Sequence, residues 1–74
     1  MPLSDQVLKI LTEEMGPSAP MFLERQCKFH LNKDVGALSN ADIDELAKWV
    51  YTSSKLTLGD DVANKLKTKV LGLK

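Results

Sequence analysis

The sequence predicts an all-α fold, a compact bundle of four short helices forming one domain over residues 1–74. Three observations carry that prediction. In four segments the apolar residues recur three and four apart, which lines one face of a helix with 3.6 residues per turn. No run of four or more residues alternates apolar with polar, as a half-buried strand would. Glycine, proline and capping residues fall between the periodic segments, where helices stop and start.

Ser4 is the expected cap of the first helix, with Leu3 and Leu8 placed as a hydrophobic staple. Leu3, Val7, Leu8, Leu11 and Met15 then form one stripe, and Gly16-Pro17 ends it, because proline cannot continue the ladder. The second helix begins near Ser18 to Pro20 and runs to about Leu31. Ala19, Phe22, Leu23, Gln26, Cys27 and His30 share a face of it, while Glu24, Arg25 and Lys28 fall largely outside. Residues 32–37 form a connecting loop in which Gly36 is available for a positive φ.

The third helix has the best-specified start in the chain. Leu38 and Ile43 form a staple, Ser39 caps, and Asp42 lies at the third position, where a carboxylate favours the positive end of the helix dipole. Ile43, Leu46, Ala47 and Val50 make its buried stripe, with Trp49 and Tyr51 on the two shoulders. Thr52-Ser53-Ser54 is expected to break it. A fourth helix then starts at Thr57, or a residue or two later, and buries Leu58, Val62, Ala63, Leu66, Val70 and Leu73. Val7, Leu11, Phe22, Leu23, Ile43, Leu46, Val50, Val62, Leu66 and Val70 are expected to be buried together.

Composition narrows the classes of function. Of the residues, 43% are hydrophobic and 27% charged, which is the globular range. Ten basic residues balance ten acidic ones, so no net field draws the chain to phosphates or anionic lipid. No stretch approaches the roughly 20 apolar residues of a membrane span. The first residues lack the basic start and apolar run of a secretory signal, and the lone cysteine, Cys27, has no disulfide partner within the chain. A cytoplasmic location is the expectation.

Candidate chemistry is sparse. Cys27 and His30 are three apart on a helix, the spacing of a thiolate–imidazole pair, but no orienting third group or glycine-rich elbow accompanies them. They are the only Cys and His in the chain, too few for a structural zinc site. Asp42, Asp44 and Glu45 cluster as carboxylates do in hydrolases, yet they open a helix whose dipole accounts for them. Arg25, Lys28, Lys33, Lys65, Lys67 and Lys69 offer a basic patch for nucleic acid, but a helix-turn-helix across Gly16-Pro17 would put an apolar helix in the recognition position. No enzyme activity, cofactor or metal is expected. Gln26, Cys27 and His30 remain as a candidate polar pocket for a small ligand. Arg25, Phe29 and Trp49 are the candidate interface.

Gly16-Pro17-Ser18-Ala19, followed by Phe22-Leu23 and Arg25, resembles a small helical module found at the C-termini of some bacterial serine/threonine kinases and other signalling proteins. That module has Gly-Pro-x-Ala, an aliphatic run with basic residues, then an acidic helix opened by Leu-Ser or Leu-Thr. Here the outline extends from Leu8 to about Leu71 through Leu38-Ser39, departing from it at Pro20, Glu24 and Gln26. The resemblance implies a non-catalytic interaction or regulatory domain of bacterial signalling and carries no active-site residues.

Composition and resemblance together favour a domain that binds a protein partner over a nucleic-acid-binding regulator using the basic last helix, or a ligand carrier built around His30. Self-association is a further expectation. A core this small seldom yields more than roughly 3–5 kcal/mol, and pairing two copies is one remedy. The alternative is that Phe29 and Trp49 simply cover the ends of the core.

Overall fold

The computed structural model describes residues 2–74 and is all-α across them. Its helices are α1 (Leu3–Met15), α2 (Ala19–Gln26), α3 (Ile43–Leu58) and α4 (Asp60–Leu71). Three of these, α1, α3 and α4, have 13, 16 and 12 residues. The eight-residue α2 passes without interruption into a π-helical turn, Cys27–Leu31. The all-α class is as expected, but the structure rests on three full-length helices and one short one, not on a bundle of four equivalent helices. An antiparallel α3–α4 hairpin forms the largest packing surface, and α1 and α2 lie against it.

Helix starts follow local chemistry, with one correction. Pro2, not Ser4, precedes the first turn of α1, and its carbonyl accepts the Asp5 N–H at 3.1 Å and the Gln6 N–H at 3.3 Å. A proline with its φ already fixed near the helical value suits that place, and Ser4 falls inside the helix. At α3, Ser39 and Asp42 act as expected. The Asp42 carboxylate accepts the Ser39 N–H at 3.0 Å, across a 3₁₀ turn over Asn40–Asp42 that leads into the helix.

Gly16 ends α1 at φ 66°, and its N–H returns to the Thr12 carbonyl. Pro17 then enters a single 3₁₀ turn, and the fully buried Ala19 begins α2. Gly-Pro-Ser-Ala is therefore a tight corner closed by a side chain small enough for the core. In the following loop the positive φ belongs to Asn32, at 57°, and not to Gly36. Asparagine tolerates the left-handed region better than most residues and here closes the π turn. Residues Val35–Ala37 form a 3₁₀ turn instead.

Thr52-Ser53-Ser54 does not break α3, which continues to Leu58. The Thr52 hydroxyl bonds the Lys48 carbonyl one turn back at 3.0 Å, and the Thr57 hydroxyl reaches the Ser54 carbonyl at 3.4 Å. Hydroxyls satisfied within their own helix cost it little. The stop is Gly59, at φ 93° and ψ 164°, a region essentially reserved for glycine. This one residue joins α3 to α4.

Val7, Leu11, Leu23, Ile43, Leu46, Val50, Leu66 and Val70 are buried together, joined by Ala19, Cys27 and Ala47. Phe22 and Val62, also expected there, are only half-buried. Phe22 sits at the mouth of a surface groove, and Val62 lies in the first turn of α4, beside the Gly59 corner.

Ser54 is an uncompensated polar group in this core. It is fully buried, and its Oγ has no hydrogen-bond partner among the described residues. Ser54→Ala removes a desolvated hydroxyl without orphaning another group, and alanine is the better helix former. The variant is expected to gain on the order of 1 kcal/mol. Thermal unfolding would read this as a rise of several degrees; a lower melting temperature would mean that the hydroxyl is bonded in solution.

Candidate functional site

Two kinds of surface stand out, and the charged one is largely neutralised internally. Lys65 pairs with Glu14 at 3.0 Å and Lys69 with Glu13 at 3.3 Å, fastening α4 to the end of α1. Lys33 meets Asp42 at 2.7 Å, and Lys74 meets Asp44. Lys67 and Lys55 lie over the Tyr51 ring, whose hydroxyl donates to Asp60 at 2.5 Å. That bond to a carboxylate favours the protonated phenol and raises the Tyr51 pKa. Asp42 is shifted downward, first by the hydrogen bond from Lys33 and then by the Ser39 N–H. Exposed pairs of this kind contribute only about 0–1 kcal/mol each, but they occupy most of the lysines of the expected basic patch.

The second surface is the outer side of α2. Met21 is 61% exposed and Phe29 71%, large apolar side chains held in water on either side of Arg25. A groove of about 490 Å³ borders Met21 and Arg25 and is also lined by Met15, Phe22 and Leu58. A second cavity of about 290 Å³ lies between Met21 and Phe29, edged by Glu24 and Lys28. Met21 and Arg25 belong to both, so the two form one continuous face from the end of α3 along α2. Leu56, 85% exposed, stands apart from it as the kind of isolated surface leucine that needs no partner.

The expected interface residues separate. Arg25 and Phe29 share this face. Trp49 does not, because its ring stacks on His30, with centroids 3.9 Å apart and planes within 7°. Lys48 lies 5.4 Å from the same indole. The Trp49 N–H is enclosed without a partner among the described residues.

The expected polar pocket of Gln26, Cys27 and His30 is likewise dispersed. Gln26 is buried, lines the groove and accepts a hydrogen bond from the Ser53 hydroxyl at 3.1 Å. Cys27 is sealed in the core, and burial pushes its thiol up to about 11, with the Asp42 charge acting in the same direction. A thiol protonated at neutral pH is a poor nucleophile. His30 is exposed and committed to the Trp49 stack, so it does not face the thiol. The π turn is the cause: with more residues per turn, it rotates less at each residue and swings Phe29 and His30 around the axis relative to an α-helical continuation.

Met21 is the part of this face that periodicity does not single out. A helical projection puts it opposite the buried stripe, and an apolar residue there, four before Arg25 and eight before Phe29, is the signal that identifies it. Among the described residues, no group of three or more His, Cys, Asp or Glu side chains is placed to hold a metal ion. No helix there is long and apolar enough to cross a membrane. No family model matches the chain, and none of the curated proteins or solved structures compared with it does so.

Proposed function

We propose that this chain is a non-catalytic interaction domain that binds a protein partner through the outer face of α2, with a regulatory role in bacterial signalling. In this reading the chain is a cytoplasmic four-helix bundle in which α2 and its π turn supply the fourth helix. The observation that carries the proposal is the exposure of Met21 and Phe29 about Arg25. Two large apolar side chains exposed together around an arginine form a patch of the kind proteins bury on binding, since aromatic, methionine and arginine side chains are the types enriched where proteins meet. The neighbouring groove is lined by methionines, whose unbranched side chains adapt to a partner's shape. The signalling role rests on the Gly-Pro-x-Ala resemblance.

Nucleic-acid binding is the weaker reading. Lys33, Lys65, Lys69 and Lys74 already face carboxylates, so binding phosphate would require breaking these pairs.

Affinity capture from the organism of origin tests the proposal with three baits: the chain, its Met21→Gln/Phe29→Gln double variant and its Leu56→Gln variant. Glutamine keeps helix propensity while removing the apolar groups. Partners held by the chain and by Leu56→Gln but lost by the double variant are the expected result. Partners retained by all three would place the interface elsewhere.

A further inference from the structure

The outer side of α2 and its π turn carries two complementary pairs with identical spacing. Glu24 and Lys28 are four residues apart, and so are Arg25 and Phe29. With Met21 they surround a single surface cavity. Among the described residues, Glu24, Arg25 and Lys28 form no ion pair or side-chain hydrogen bond, in contrast to Lys33, Lys65, Lys69 and Lys74. These charges are free to meet an external complement, and a second copy of the chain offers one.

We propose that this face pairs with the same face of a second copy, antiparallel, about a two-fold axis that crosses the outer face midway between Glu24 and Lys28. The inference rests on the reading of α2 as a protein-binding surface and names its occupant. Glu24 and Lys28 also border a cavity beside Lys33 and Asp34, which places them on one flank of the face; Arg25 borders the groove of Met15 and Leu58 on the other flank, and the π turn brings Phe29 to the same cavity as Arg25. A two-fold axis perpendicular to the helix brings like flanks together with their direction reversed. Glu24 of each copy then faces Lys28 of the other, and each Arg25 guanidinium faces the partner copy's Phe29 ring, a favourable cation–π arrangement. Met21 packs at the two ends of the seam. Antiparallel packing also sets the two helix dipoles in opposition.

Sedimentation equilibrium from micromolar to submillimolar concentration tests this with Glu24→Lys and Lys28→Glu, each checked for folding by circular dichroism. The chain is expected to dimerise. Each single reversal places like charges across the axis twice and weakens association by roughly tenfold or more. An equimolar mixture of the two variants is expected to recover association as a heterodimer, because both contacts across the axis then join opposite charges, one with the native polarity and one with it exchanged. A constant mass near the 8.2 kDa of one chain overturns the self-pairing; the capture experiment above still decides separately whether the face binds another protein. A dimer indifferent to the reversals, or weakened by them but not rescued on mixing, overturns the antiparallel register.

Discussion

Leu46→Ala is expected to cost about 2–5 kcal/mol, a loss comparable to the entire stability of a domain this size. Leu46 is fully buried on the inner face of α3, in the cluster to which α1, α2 and α4 all contribute. Truncation forfeits the burial of its methylene and methyl groups and leaves a cavity that helices packed on several sides cannot close. Urea unfolding followed by circular dichroism reads the effect, with most molecules expected to be unfolded in water at the severe end of the range. A midpoint indistinguishable from the parent's would mean that α3 buries a different face.

Gly59→Ala is the second large effect, on the order of 1–3 kcal/mol. An added Cβ would meet nothing within 4 Å, so crowding is not the cause. The cost lies in the backbone, held at φ 93° and ψ 164°, which a side chain disfavours. The sign is diagnostic. At a helical or extended glycine the same substitution would stabilise, by restricting the unfolded chain. Thermal unfolding is expected to show a fall of several degrees, and a rise would mean that α3 runs into α4 without this corner.

Much of the core was legible because burial obeys the 3.6-residue period wherever a helix is regular. Val7 and Leu11, then Ile43, Leu46 and Val50, then Leu66 and Val70 follow it and are buried. Ser39 and Asp42 were legible as well, since a cap depends on residues only three apart. What escaped has definite causes. A π turn inserts one extra residue per turn, and neither composition nor spacing announces it; Phe29, at the margin of the apolar face in projection, therefore stands in water. The hydroxyls at Thr52, Ser53 and Ser54 are ambiguous in sequence: Thr52 bonds one turn back, Ser53 donates to Gln26 and Ser54 has no partner among the described residues, and the helix runs through all three. The Lys69–Glu13 and Lys65–Glu14 pairs join residues more than fifty positions apart and depend wholly on how α1 meets α4. The site was half legible for the same reasons: Arg25 and Phe29 were identifiable as neighbours and Met21 carried a signal in its spacing from them, whereas the withdrawal of Trp49 beneath His30 required the fold.

If Met21 and Phe29 are held out for another molecule, they do not support the chain's own core. Thermal unfolding of the Met21→Gln/Phe29→Gln double variant tests it, at a concentration low enough to keep both proteins monomeric. Surface substitutions shift stability by within about 0.5 kcal/mol each, so the melting temperature is predicted to stay within a few degrees of the parent's. A fall as deep as that of Leu46→Ala would show these side chains to be part of the core and would contradict the claim.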